Sequence, residues 1–273
     1  MSNGLNDAPH VFIVSHERSG THIAIDAVRN NFPIYKRQFY VNIDRMVEGH
    51  WSYCSPEIVG EELQRKPRVI KTHMILDTGA YFDGDGPATQ LVKSIAQDSR
   101  LIYVYRDGRD VLSSLFTFWS RTIPEFIGTT FSDMLKGNFT VDVGRTRRDS
   151  TNPVSYWREH VQAWIGREDV LTLSFEEFLN DYNGTIIRIG EFLEMSPVNP
   201  IKSVLRKGSG TQRGKLREAL FNYYGKIKGI ELTSVSFNKG SMGGYGAVYS
   251  ADDLAFFDKR AGELLEQLGY SRR

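Results

Sequence analysis

Three short strings of this 273-residue sequence carry residue types suited to anion and proton chemistry. The first is Ser15-His16-Glu17-Arg18-Ser19-Gly20-Thr21-His22, which follows an apolar run and leads into a helical pattern. Backbone amides of a tight turn and the unpaired amides of a helix N-terminus converge at such a place. An anion there gains hydrogen bonds and the favourable end of the helix dipole. Gly20 lets the chain approach closely, Arg18 supplies a fixed positive fork, and Ser19 and Thr21 add hydroxyl donors. This composition suits a phosphate cradle, and an ordinary strand-to-helix connection shares it. It is not a Walker A loop, because the glycine-Lys-Ser/Thr ending is missing.

The second string runs from Leu101 to Ser114. Arg106 ends an apolar run and Ser114 falls about a turn into the next helix, so both can meet a second phosphate beside the first. Arg109 and Asp110 are expected to pair with each other or with neighbours, and a charged helix start explains the string more blandly. The third string is Lys71-Thr72-His73. Histidine can take a proton near neutral pH, and a lysine beside it can stabilise negative charge during group transfer. Read alone, His73 is better explained by a histidine satisfied by a backbone carbonyl at a strand end.

These strings need a scaffold. Short apolar runs at Val11 to Val14, Arg68 to Thr72, Leu101 to Tyr105 and Val170 to Leu173 predict buried strands. Helices are predicted over Thr21 to Asn31, after an Asn152 cap and Pro153, over Thr185 to Glu194, and over Ser250 to Leu268 with a Ser250/Asp253 capping box. Strands alternating with helices predict an α/β fold, with a central mainly parallel sheet flanked by helices and ligands at the carboxyl ends of its strands. The chain is expected to form one domain, residues 1–273. The glycine-rich stretches 77–87 and 206–246 are expected to be loops.

Lys plus Arg total 34 against 33 Asp plus Glu, a net charge of +1. That balance speaks against nucleic acid or an anionic membrane as partner and favours a small molecule. The single cysteine, Cys54, cannot form an internal disulfide and suits a reducing, cytoplasmic compartment. Met1 to Pro9 lack the pattern of a secretory signal, and no stretch approaches the ~20 apolar residues of a membrane helix. No metal is expected, since no compact carboxylate or histidine cluster is visible.

Together, in this order and at strand ends, the three strings resemble the sulfotransferase family that uses 3′-phosphoadenosine 5′-phosphosulfate (PAPS). The resemblance implies a three-layer P-loop-like fold and a soluble enzyme. Arg18, Ser19, Gly20, Thr21 and His22 would bind the 5′-phosphosulfate, and Arg106 with Ser114 the 3′-phosphate. A late loop, Asn238-Lys239-Gly240 with Gly243, would add a contact to that phosphate, with Arg206-Lys207-Gly208 as the alternative. Phe175 would lie near adenine. His73 would be the base, with Lys71 and Arg18 beside it. Trp51, Tyr53, Phe116, Phe118 and Trp119 would line the site of a small hydroxyl acceptor, or serve simply as core aromatics. The sequence departs from the family pattern at Glu17 for proline, Arg18 for lysine, His22 for threonine, Ile23 for an aromatic residue, Asn238 for arginine, and Gly244-Tyr245 for an Asp-Trp pair. A small-molecule kinase of similar architecture and a noncatalytic nucleotide-binding protein are the competing functions.

Overall fold

The computed structural model describes residues 8–36, 40–44, 60, 61, 63, 66–74, 87–138, 152–204 and 242–272. Five strands form one sheet: β1 His10–Ser15, β2 Val41–Asn42, β3 Val69–Thr72, β4 Ser99–Tyr105 and β5 Val170–Ser174. Their order is β2-β3-β1-β4-β5 and every pairing is parallel. In register, Ile13 faces Lys71 on one side and Ile102 on the other, so the tips of β1, β3 and β4 end side by side. The strands read as continuous apolar runs because both faces of a parallel sheet are covered.

Phe12, Val14 and Tyr103 join the core on one face, and Val11, Ile13 and Val104 join the core on the other. The first core is closed by α3 Gly108–Thr122, α4 Phe131–Lys136, α5 Pro153–Gln162 and α8 Ala251–Gln267, together with α2 Pro87–Gln97. The second is closed by α1 Thr21–Asn31, α6 Phe175–Asn180 and α7 Tyr182–Leu193. This is the expected α/β arrangement of a parallel sheet between helical layers. From central β1 the chain moves to one side for β2 and β3 and then to the other for β4 and β5. The crevice beyond the β1 tip is therefore the switch point at which such sheets bind ligands.

Local signals account for the helix ends. Asn152 accepts from the amides of Val154 and Ser155 ahead of Pro153. Ser250 and Asp253 cap each other reciprocally. The α7 helix starts earlier than its apolar pattern because Asp181 caps it through Gly184 N. The α5 helix stops at Gln162, yet Trp164 beyond it is fully buried and stacks on Tyr103 at 5.7 Å. No described helix is long and apolar enough to cross a membrane.

Candidate active site

The turn between β1 and α1 is curled by two left-handed residues, Arg18 at φ 67° and Gly20 at φ 103°. A β-carbon at Gly20 would stand 2.5 Å from Phe175 Cδ2, so glycine serves both the backbone conformation and the close approach of that ring. Arginine in the left-handed region costs of order 1–3 kcal/mol, strain that successive amides recover when they curl around an anion. Thr21 Oγ1 lies 2.5 Å from Ser15 Oγ. Ser19 Oγ is buried with no hydrogen-bond partner among the described residues. An orphaned hydroxyl inside an amide-lined turn fits an anionic ligand.

This turn meets the β4 tip directly. Arg18 Nε donates to Ser114 Oγ at 3.0 Å, across 96 residues of sequence. Arg106, at the start of the β4 to α3 turn, donates to Asp110 Oδ2 at 3.3 Å and lies 4.7 Å over the Phe175 ring. Phe175 thus touches both corners. Burial and then the Arg106 guanidinium push the Arg18 pKa below its ordinary value, as expected of two cations facing a space where an anion would relieve them. Asp110 also accepts from the amides of Gly243 and Tyr245 at 2.9 and 3.0 Å, which brings the end of the late loop to the same corner. Arg109 instead closes a two-pronged pair on Asp107, the α3 cap, and stacks 4.3 Å over Tyr245.

At the β3 tip, His73 Nδ1 lies 2.7 Å from the Ser15 carbonyl oxygen. A carbonyl only accepts, so Nδ1 carries the proton and Nε2 presents a lone pair. Burial and then Lys71 hold the His73 pKa below the ordinary histidine value, against the opposing pull of Glu17, Asp44 and the Ser15 carbonyl. His73 is therefore a neutral imidazole at pH 7. Its backbone is fixed by Asp44, a fully buried carboxylate just past β2. Asp44 Oδ1 accepts from Thr72 Oγ1 at 2.7 Å and His73 N at 3.1 Å, and Oδ2 pairs with Lys71 Nζ at 3.3 Å. Burial would raise the Asp44 pKa, but Lys71, His73 and Thr72 hold it below the carboxylate norm. His22, on the first turn of α1, is pushed down to about 4 by burial, then by Lys71, His73 and Arg18.

A second imidazole backs the first. His160 on α5 lies with Nε2 2.9 Å from the His73 carbonyl oxygen, so Nε2 carries the proton and Nδ1 accepts from Tyr103 OH at 2.9 Å. Burial and then His16 lower its pKa to about 3. One turn earlier on α5, Tyr156 packs 4.8 Å from the His16 ring and donates to Glu17 Oε2 at 3.5 Å. Asp44, His160, Tyr156 and Asp110 all shape the crevice without having stood out in the sequence as site residues. The spacing of Tyr156 and His160, four apart, was the available signal for one shared helix face.

Among the aromatics expected at an acceptor site, Phe118 stands at the Arg18 guanidinium, 5.4 Å from ring centre to carbon. Phe116 packs edge-on to Phe131 at 5.5 Å, and buried Trp119 packs on Phe126 at 4.9 Å. Trp51, Tyr53, Asn238, Lys239 and Gly240, with Arg206, Lys207 and Gly208, lie outside the described residues.

A family described as "Sulfotransferase domain" matches residues 8–269. Sulfotransferase 2A1 of Rattus norvegicus is 26% identical over 205 residues, 72% of this chain and 63% of the relative. Sulfotransferase 2A6 of Mus musculus is 29% identical over 170 residues, 59% of this chain and 54% of the relative. The chain thus spans less than two thirds of the length of either relative. Among solved structures, mouse sulfotransferase SULT7A1 complexed with PAP aligns with TM-score 0.54 and 21% identity, covering 94% of this chain and 84% of that one. Retinol dehydratase in a complex with retinol and PAP aligns with TM-score 0.52 and 20% identity, covering 94% and 81%. At those identities the two structures share the fold.

Proposed function

The chain belongs to the sulfotransferase domain family, and on that premise we propose that it moves the sulfuryl group of PAPS onto the hydroxyl of a small organic acceptor. The observation that carries this is the 3.0 Å bond from Arg18 Nε to Ser114 Oγ, which joins the β1 and β4 anion corners into one cleft. Two anion corners bridged by Phe175 suit an adenosine bearing a phosphate at each end, with the ring against adenine. Arg18, Ser19, Gly20, Thr21 and His22 hold the phosphosulfate end, and Arg106 and Ser114 the 3′-phosphate. By family resemblance Asn238, Lys239 and Gly240 are assigned to the same phosphate, and Gly243, shortly after them in sequence, donates its amide to Asp110.

The donor supplies an activated sulfur whose bond to the 5′-phosphate oxygen breaks as the acceptor oxygen bonds to it. His73 Nε2 takes the acceptor's hydroxyl proton, with Nδ1 held on the Ser15 carbonyl throughout. Arg18 and Lys71 stabilise the charge that collects on the leaving phosphate. Lys71 can do so while paired with Asp44, since an ammonium has three donors. Phe118, beside the Arg18 guanidinium, is an aromatic wall at the reacting end. No metal takes part, and the single Cys54 suits cytoplasmic work.

The test is transfer of radiolabelled sulfuryl from PAPS to a panel of phenols and alcohols in the presence of a chelator. Labelled sulfate ester is the expected product. Magnesium-dependent ATP turnover with no ester would point to a kinase. Donor binding without transfer across the panel would point to a noncatalytic protein.

A further inference from the structure

Among the described residues Asp44, Asp110 and Glu17 border the cleft, and they are not equally satisfied. Asp44 holds Lys71, Thr72 and the His73 amide, and Asp110 holds Arg106 and two loop amides. Glu17 has the imidazoles of His73, His16 and His160 near it, its own amide, and the Tyr156 hydroxyl at 3.5 Å, with the His16 ring at 3.7 Å. Among the described residues no lysine or arginine pairs with it. Arg18, next in sequence, is turned to Ser114, and Lys71 to Asp44. His16 offers little charge, since burial lowers its pKa and its Nδ1 proton is given to the Glu17 carbonyl. The Glu17 side chain keeps 22% exposure where His16 is sealed, and its carboxylate lies near enough to His73 for the two to interact electrostatically.

One helix face sets where that carboxylate lies. Tyr156 meets Glu17, and His160, one turn on, meets the His73 backbone, so the carboxylate and the base share one wall. A carboxylate with no lysine or arginine partner beside an anion cradle also works against donor binding by like-charge repulsion, unless a cation accompanies it.

We propose that Glu17 determines acceptor specificity, selecting hydroxyl compounds that also carry an ammonium group. The proposal rests on sulfuryl transfer at the same site. The ammonium would fill the position that no side chain fills for Glu17, with the Tyr156 hydroxyl and ring beside it. A neutral acceptor would leave the carboxylate desolvated and unpaired.

The test compares tyramine with 4-ethylphenol, alike in shape and phenol but differing in charge, with PAPS near neutral pH. kcat/KM is expected to favour tyramine by about tenfold or more. In Glu17→Gln the ratio should fall towards one, while in Glu17→Asp, which keeps the charge, the preference should persist in weakened form. The melting-temperature rise with adenosine 3′,5′-bisphosphate (PAP) shows whether each variant is folded. If Glu17→Gln is not, the wild-type and Glu17→Asp ratios decide. Equal or better turnover of 4-ethylphenol by the wild type, or an unchanged ratio in Glu17→Gln, overturns the assignment and leaves the transfer activity standing. No transfer to either compound by protein that PAP stabilises would overturn the assignment, and the transfer activity would then be decided by the wider panel of phenols and alcohols.

Discussion

Asp44 and Asp110 are both buried carboxylates beside strand tips, each paired with a cation, but they hold different structures. Asp44 binds three consecutive residues, Lys71, Thr72 and His73, and so fixes the direction of one short segment. Asp110 binds Arg106 from its own turn and two amides more than 130 residues away, and so ties distant pieces together. The first clamp orients the proposed base. The second assembles the proposed phosphate corner, so the His73 half of the cleft is fixed by local construction and the Arg106 half by tertiary docking.

Breaking each half should therefore give different signatures. The largest effect is expected at the base: His73→Ala should lower kcat by about 10²–10⁴-fold, with the stabilisation by PAP retained. Next, Asp44→Ala would strand Lys71 as a buried unpaired cation and release the His73 amide. A loss of ~3–5 kcal/mol in unfolding free energy is expected from denaturant titration. At the opposite corner, Arg106→Ala should weaken PAP binding by about ten- to a hundredfold in calorimetry, with little change in kcat at saturating donor. If Asp44→Ala chiefly weakened PAP binding, the two clamps would not divide the work as described.

The smallest effect concerns pH. His22 and His160 have pKa values near 4 and near 3, against an ordinary 6.5, chiefly because burial disfavours the imidazolium. Between that ordinary value and the folded values the unfolded chain binds more protons, so stability rises with pH across the window and is lost as pH falls through it. Melting temperature should decline below about pH 6.5, and His160→Gln should decline less steeply. An identical slope in the variant would remove His160 from the buried network.

The parts of this cleft that were legible in the sequence are those specified locally. The β1 to α1 turn, the Asn152 and Ser250 caps and the four longer strands each carry their signal within a few residues. Asp44 was invisible because β2 is two residues long and shows no periodicity, and its partners reach it only through the register that sets Asn42 beside Lys71. His160 was hidden on a helix read for its apolar face. Phe116, Phe118 and Trp119 looked alike in sequence, but helical rotation sends them to Phe131, Arg18 and Phe126 respectively. Which of them faces the cleft is decided by packing.

The most direct test of the central claim, that the Arg18 turn and the Arg106 corner form one site, is a thermal melt with PAP and no magnesium. The wild type should be stabilised in a concentration-dependent way, and Arg18→Ala and Arg106→Ala should each lose most of that stabilisation. No shift in the wild type, or a full shift retained in either folded variant, would contradict it.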